Sequence, residues 1–524
     1  MRRYWFLAAF GFVCLVSAAV WMGALNQDEG WYLYAANLVS EGCAPYRDFF
    51  FTQGPIMPAV YAHFAWVWKA WGILGARIFT AFIGALGIVF AVLLARRLVG
   101  DEKKNVVAVV VALLLGSNLY HLYYLAIPKT YALASLFVMA GFYLLTFCAS
   151  ARRVVRGACV MSAALLFAFA AGTRISLGAI LVAVGLGLLI QYKKVGLSFL
   201  WFGLAGAIGL IIVYGVPLLD VNSRAGFLAA QEYHAARGGF DAVFAIGSLS
   251  RLVRWYAPTF LFLGLGCLGG FGLRSACARR ANPEVDVLSL VFGGALAVML
   301  VQMCAPFPYE DYQVPVMGAF TVVAVVLCVR NLSKRFPFAL LALGLAWALS
   351  FGSPLLEQWM TNGQDRFWSL KKKSCELAQL RDVAHRIDEL DPGGKMLLTQ
   401  DLYLAIETNR KVPRGLEMGP FSYWGEKMPE YMPRGLVLDA QGMTALLASA
   451  PCEVAAFSGY AFAITAPEGF ETPQETQLDY FHLLYKRYDL AFREEAFGQN
   501  ATTLLVLKRK PTVALLRGGK AEQP

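Results

Sequence analysis

The sequence predicts an α-helical polytopic membrane protein of about eleven transmembrane helices, followed by a small extracytoplasmic α/β domain. Three observations carry this. The 524 residues are 58% hydrophobic and only 15% charged, with a mean hydropathy of +0.54, far more apolar than a soluble domain of this size. Apolar runs close to the ~20 residues that cross a bilayer recur from the N-terminus to residue 351. Beyond Gly352 the composition turns polar and the patterning changes.

Residues 1–25 open with Arg2 and Arg3 and continue apolar from Tyr4 to Leu25, longer than a signal-peptide core. They predict an uncleaved first span with its N-terminus in the cytoplasm. An outside loop over 26–72 follows, with a short helix over 29–40 and an aromatic amphipathic stretch from Ile56 to Trp71, suited to the membrane interface. Further spans are predicted at 74–95, 105–120, 128–149, 157–172, 175–190, 195–217, 255–273, 285–304, 312–329 and 336–351. The alternation places Arg96, Arg97, Lys103 and Lys104 inside, then Arg152, Arg153 and Arg156, then Lys193 and Lys194. Arg274, Arg279 and Arg280 and finally Arg330, Lys334 and Arg335 follow on the same side, as the positive-inside rule requires. The outside loop over 218–254 carries Arg224, Arg237, Arg251 and Arg254, and its length predicts a folded segment.

Residues 1–352 thus read as the transmembrane domain, 353–510 as the extracytoplasmic domain and 511–524 as a flexible tail. In the second domain, Leu370, Leu377, Leu380, Ala384, Ile387 and Leu390 recur at helical spacing. The D-P-G-G turn at Asp391 leads into a strand-like K-M-L-L-T, and 452–458 and 502–507 also read as strands. The chain shows no internal repeat and no nucleotide-binding glycine motif.

The net charge of +11 sits in clusters between apolar runs, so the expected basic-face partner is the lipid bilayer and no nucleic acid. Ten cysteines show no C-x-x-C pair and no Cys/His metal spacing; a disulfide among Cys43, Cys375 and Cys452 is open. His63, His121 and His234 lack zinc-ligand spacing. The reading is no cofactor and no metal site, although a divalent ion remains compatible.

The chemistry concentrates in Asn26 to Pro58, where Asp28 and Glu29 stand together just after the first span. A carboxylate pair is costly to hold at a membrane surface, which favours a functional role. The competing roles are structural. Asp28 suits the N-cap of a helix starting at Gly30, and Glu29 a solvated first-turn acid. The triplet Tyr46-Arg47-Asp48 and a Q-G-P turn follow.

This stretch resembles a known family. An Asp-Glu pair after the first span, A-x-x-L-x-x-G-x-x-P-Y-R-D, a G-P turn and an A-R entering the second span are similar to bacterial membrane glycosyltransferases of the GT-C fold. The nearest groups are the dolichyl-phosphate-mannose protein mannosyltransferases and the aminoarabinose transferases that modify lipid A. The resemblance implies an enzyme that takes a hexosyl or pentosyl group from a polyprenyl-phosphate sugar donor. The acceptor would be a hydroxyl of a glycolipid, polysaccharide or protein outside the bacterial inner (plasma) membrane. It places the catalytic base, the first acidic residue of the family's opening loop, on Asp28, with Glu29 beside it. Pro128 to Leu133, with Tyr131, is similar to the family's tyrosine-containing segment, but has Lys129 where many relatives have an acid. Thr173-Arg174 matches the arginine after span five. Tyr312-Gln313-Val314-Pro315 matches a late Y-x-x-P motif, preceded here by Glu310 and Asp311 rather than a basic residue, which leaves the phosphate partner open.

Polyprenyl phosphate is already a good leaving group. The reaction therefore needs a carboxylate within about 2.6–3.2 Å of the acceptor hydroxyl, and cations for the departing phosphate. Asp28 fits the base, and direct displacement inverts the anomeric centre. Glu29 is the second catalytic candidate, orienting the acceptor or binding a metal. Arg77, Lys129 and Arg174, all at outer span ends, are the phosphate candidates, against snorkelling to lipid headgroups. Tyr131 and Tyr312 are substrate-binding candidates, Tyr312 against an interfacial-belt role. Asp48 joins them, with an ion pair to Arg47 as its alternative. The rival function is a lipid-linked-sugar flippase or a polysaccharide export or polymerase component. A flippase would place charges in mid-span and show paired halves, features not seen in this sequence.

Overall fold

The computed structural model describes residues 12–21, 23–148, 152–274, 286–331, 375–425, 428, 430–466, 470–499 and 501–511. Its helices, in order, are α1 (Phe12–Trp21), α2 (Gln27–Ser40), α3 (Ile56–Ala62), α4 (Ala65–Arg97), α5 (Lys104–Gly116), α6 (Leu119–Ala126), α7 (Thr130–Leu145) and α8 (Arg153–Thr173). There follow α9 (Ala179–Ile190), α10 (Tyr192–Val195), α11 (Ser198–Leu219), α12 (Val221–Ala235), α13 (Ala242–Trp255), α14 (Ala257–Arg274), α15 (Val287–Met303) and α16 (Val314–Asn331).

Four helical segments among the described residues are long and apolar enough to cross a membrane: α4, α8, α11 and Glu310–Asn331. Asp101–Gly116 and Leu119–Ala126 pass together, as a pair bent by 70°. Shorter apolar helices occupy Phe12–Trp21, Thr130–Leu145, Ile175–Ile190, Ala257–Leu268 and Val287–Met303. Each of the first ten expected spans thus coincides with an apolar helix; the eleventh, at 336–351, and the tail lie outside the described residues. Val182, Leu186 and Ile190 on α9, and Ile211, Ile212, Val216 and Leu219 on α11, point outward, as a lipid-facing surface requires. Inside, α8 packs on α7 and α11, α4 on α7, and α14 on α16.

Three local expectations change. The opening helix begins at Gln27 rather than residue 29, because Asn26 caps it: its side chain accepts the Asp28 N–H (3.0 Å) while the Glu29 carboxylate takes the Asn26 N–H (2.9 Å). Asp28 is therefore a first-turn residue and not the cap. The amphipathic stretch 56–71 divides into α3 and the start of α4, which continues into the span through a kink at Gly72 (φ 61°). Its aromatics divide as well. Trp66 and Trp71 face outward, whereas Tyr61 and Trp68 are fully buried, Trp68 donating to Asn37 Oδ1 at 2.8 Å. The expected turn after residue 120 is the helix α6, capped by Asn118 and packed with the buried Tyr120, Tyr123 and Tyr124.

The C-terminal unit is α/β. Its helices are Glu376–Leu390, Leu402–Glu407, Ala440–Ser449 and Gln474–Arg487. Its strands are β1 (Leu398–Thr399), β2 (Tyr423–Gly425), β3 (Leu438–Asp439), β4 (Val454–Phe457), β5 (Ile464–Thr465), β6 (Phe470–Glu471), β7 (Tyr488–Phe497) and β8 (Thr502–Arg509). The main sheet runs β1-β4-β8-β7, with β1 and β4 parallel and the rest antiparallel. β2 pairs with β3, and β5 with β6. Residue 370 of the expected helical pattern lies outside the described residues. Cys43, Cys375 and Cys452 are all free thiols, Cys375 donating to the Trp21 carbonyl at 2.9 Å.

Candidate active site

The two acids of the opening loop have opposite fates. Glu29 has no exposed surface and faces Arg77, likewise fully buried, through Nη2–Oε1 (2.6 Å) and Nε–Oε2 (2.7 Å). The rest of the guanidinium caps the end of α1: Nη1 donates to the carbonyls of Val20 (3.0 Å) and Gly23 (2.9 Å), and Nη2 to Ala24 (2.9 Å). Those carbonyls have lost their helical partners, which is why a cation belongs there. All five donors of Arg77 are thereby occupied. Arg77, expected to bind phosphate or snorkel to lipid, instead welds α1, α2 and α4 together. Glu29, expected to be catalytic or solvated, is its counter-ion.

Asp28 points the other way. Its side chain keeps 27% of its surface exposed, and Oδ2 meets Lys129 Nζ at 2.8 Å while Oδ1 accepts the Trp31 indole N–H at 3.0 Å. Burial by itself raises its carboxyl. The Lys129 charge and hydrogen bond, then Trp31 and the more distant Arg237 charge, reverse this and hold it below the ordinary carboxylate range. The group is a carboxylate at neutral pH.

Lys129 precedes α7 and is nearly buried, so it is not snorkelling to lipid. Its ammonium also approaches Asp311 Oδ2 (3.4 Å) and sits 5.0 Å from the Tyr131 ring centroid. The Tyr131 hydroxyl donates to Asp311 Oδ2 at 2.7 Å and accepts from Arg174 Nη1 at 3.1 Å. Arg174, in extended conformation just past α8, lies 4.1 Å from the Tyr312 ring centroid and makes no ion pair among the described residues. Lys129, Tyr131, Arg174 and Tyr312 thus form one connected cluster, joined to the Asp28 carboxylate through Lys129, with Asp311 as an added member. Tyr312 stacks against the guanidinium rather than serving in a lipid belt.

Asp48 is not in this cluster. It forms a bidentate pair with Arg47 (Nε–Oδ1 3.1 Å, Nη2–Oδ2 2.9 Å) and accepts the Ala44 N–H, fixing the turn that holds Tyr46 at φ 69°. Glu310, beside Asp311, pairs with Arg251 on α13 (3.1 Å). The nearby His234, in α12, bonds the Thr52 carbonyl (2.7 Å), and burial lowers its pKa to about 4. Among the described residues, no three His, Cys, Asp or Glu side chains group as metal ligands.

Two members escaped the sequence reading. Asp311 stood in it only as a departure from a motif. Arg237 lies close enough to Asp28 to stabilise its charge, and it donates to the Tyr233 hydroxyl at 2.6 Å with its Nε buried and unpartnered among the described residues. Its signal was the arginine excess in 218–254, the one loop expected outside that defies the charge rule.

No protein-family model matches the chain, and no curated protein matches it either. Solved structures do. ArnT from Cupriavidus metallidurans bound to undecaprenyl phosphate aligns over 96% of this chain and 98% of its own, with 13% identity and a TM-score of 0.61. The archaeal oligosaccharyltransferase AglB from Archaeoglobus fulgidus, in complex with an inhibitory peptide and a dolichol-phosphate, aligns over 87% and 70%, with 11% identity and a TM-score of 0.47. The likeness to ArnT is one of fold, along nearly the whole of both chains, and the fold of this chain is the GT-C fold.

Proposed function

We propose that this protein is an integral membrane glycosyltransferase that moves a hexosyl or pentosyl group from a polyprenyl-phosphate carrier to a hydroxyl acceptor at the extracytoplasmic face of the inner membrane. The acceptor class is a glycolipid, a polysaccharide or a protein. One observation carries the reading: an ionised, part-exposed carboxylate, Asp28, pairs with Lys129 and feels the Arg237 charge, in a cluster that reaches Arg174 through Asp311 and Tyr131, on a fold shared with a protein crystallised with undecaprenyl phosphate.

Asp28 accepts the proton of the acceptor hydroxyl as its oxygen bonds to the anomeric carbon. The bond from that carbon to the phosphate oxygen breaks, and polyprenyl phosphate leaves with the electron pair, inverting the centre. Two acids and three cations leave the cluster one positive charge in excess, which suits an incoming phosphate. Lys129 lies between Asp28 and Asp311, so it can turn to the phosphate while Asp311 and Tyr131 keep it in place. Tyr312 and Tyr131 hold Arg174, and Glu29 and Arg77 hold the helix that carries the base.

The test is sugar transfer by purified protein from a panel of polyprenyl-phosphate sugars, wild type against Asp28→Asn. Transfer by wild type that disappears in the variant, with donor still bound, supports the reading and identifies the sugar. Undiminished transfer by a folded variant sinks Asp28 as base. No transfer from any donor, together with scrambling of labelled lipid-linked sugar, would favour a flippase instead.

A further inference from the structure

The C-terminal unit contacts the helix that bears Asp28 along one stripe. Gln27, Gly30, Tyr34 and Glu41 follow at spacings of three, four and seven, one face of a helix. Gln27 is buried; its backbone N–H donates to Gln499 Oε1 (2.8 Å) and its side-chain amide to the Gln400 carbonyl (3.2 Å) and, more weakly, to Asp401 Oδ1 (3.5 Å). Gly30 lies so close to the Tyr403 backbone nitrogen that any Cβ would overlap it. The Tyr34 hydroxyl accepts from the Val412 N–H (2.9 Å), and Glu41 pairs with Lys411 (2.7 Å).

The anchor on the other side is equally defined. Asp401 follows the end of β1 and is almost wholly buried, with no cation beside it among the described residues. Its Oδ1 accepts from the Tyr403 hydroxyl (3.0 Å) and the Ser458 hydroxyl (2.9 Å), and its Oδ2 from the Ser458 N–H (2.9 Å). It therefore ties together the C-terminal ends of the parallel strands β1 and β4, at the edge of the sheet that meets Gln27.

From this we infer that the C-terminal unit positions Asp28: Gln27, held by Gln400 and Asp401 through its side chain and by Gln499 through its backbone, fixes the first turn of α2 so that the carboxylate of the next residue faces Lys129. Gln27 and Gln499 are positioning residues, neither touching substrate. The inference rests on the transferase reading, in which a misplaced base slows chemistry without weakening donor binding; a displacement near 1 Å costs about a hundredfold.

The experiment uses full-length protein and the donor that wild type turns over, with Gln27→Ala, the near-isosteric Gln27→Met, Gln499→Ala and Gln27→Glu. For the first three, kcat should fall by about tenfold to a hundredfold. The donor KM should stay within about twofold, with the melting temperature nearly unchanged. Gln27→Glu adds a readout that a merely structural role does not give. Protonated, it still donates to the Gln400 carbonyl; ionised, it cannot and faces Asp401. Its kcat should therefore recover on acidification from pH 7 to pH 5, where Asp28 stays ionised. Hydrogen exchange over 25–34 should rise in Gln27→Ala without a rise over 73–97.

Gln27→Ala with wild-type kcat, or exchange over 25–34 unchanged, overturns the inference while wild-type activity and an inactive Asp28→Asn leave the transferase reading standing. Losses of kcat matched by equal losses of melting temperature, or Gln27→Glu and Gln27→Ala behaving alike at every pH, also overturn it. Wild type that transfers nothing from any donor overturns the transferase reading and the catalytic sense of the grip with it.

Discussion

Asp28 and Glu29 are neighbours in sequence, yet each meets its cation in a different setting. At Glu29 and Arg77 both side chains are sealed, both carboxylate oxygens are engaged, and all five guanidinium donors are taken. At Asp28 and Lys129 the carboxylate is part-exposed, the ammonium is shared with a second acid, and an arginine nearby has no counter-ion among the described residues. A saturated pair has nothing left to offer a ligand and serves as structure. An unsaturated one in an open position can exchange a partner for substrate.

Breaking the open pair should have the largest effect. Asp28→Asn keeps the shape and removes the carboxylate, so kcat should fall by about 10²–10⁴ with only a small drop in melting temperature, because Asp311 still pairs with Lys129, read by transfer assay and thermal unfolding on the same sample. The sealed pair should respond in the opposite sense. Arg77→Ala strands Glu29 and three carbonyls, a loss of about 3–5 kcal/mol, and Arg77→Lys should recover little because an ammonium cannot form the fork. Both are read as melting temperature and yield of folded protein; an Arg77→Ala protein of wild-type stability would erase the distinction between the pairs.

Lys129→Met sharpens the comparison. Removing a charge-assisted contact to phosphate should raise the donor KM by about 10- to 150-fold. The same change leaves the burial of Asp28 offset only by Trp31 and the more distant Arg237, so its carboxyl rises from the lowered value it has in wild type. In wild type, stability from this ionised acid is present above the unfolded value and lost as pH falls through the lowered folded one. In the variant that loss, and the acid limb of the rate profile, should move to higher pH. An acid limb that stays in place would show Lys129 is not what holds Asp28 ionised. The smallest effect belongs to Arg47→Ala: its pair with Asp48 is solvent-exposed, so melting temperature and transfer should both stay near wild type.

Much of the architecture was legible because bilayer physics is written in composition: long apolar runs, basic residues on one side, a polar break past Gly352. The strands β4 and β8 were visible as apolar runs. β7 was not, because Tyr488–Phe497 is a charged edge strand, and charge on an edge discourages pairing with other chains. Within the site, Asp28 could be found from its place just after the first apolar run, and Lys129 and Arg174 from theirs at the ends of apolar runs. Which acid would be sealed could not, since Glu29 and Arg77 meet through a three-dimensional crossing 48 residues apart. Asp311 and Arg237 were hidden for the same reason: each matters through a neighbour supplied by another helix.

The distances along the chain that the Gln27 grip spans have a consequence for biogenesis. Gln27 and Gln499 are separated by 472 positions, and Leu25 donates to Glu376 across 351. The Arg77 weld, by contrast, closes among α1, α2 and α4, which leave the ribosome early. The N-terminal helices can therefore set early, but Gln27 is not fully gripped until the last strands of the sheet have been made and docked. Loop closure over such separations is slow, which makes it the natural late step of maturation. A nascent chain that has not reached residue 499 has Asp28 in place and lacks the contact that aims it.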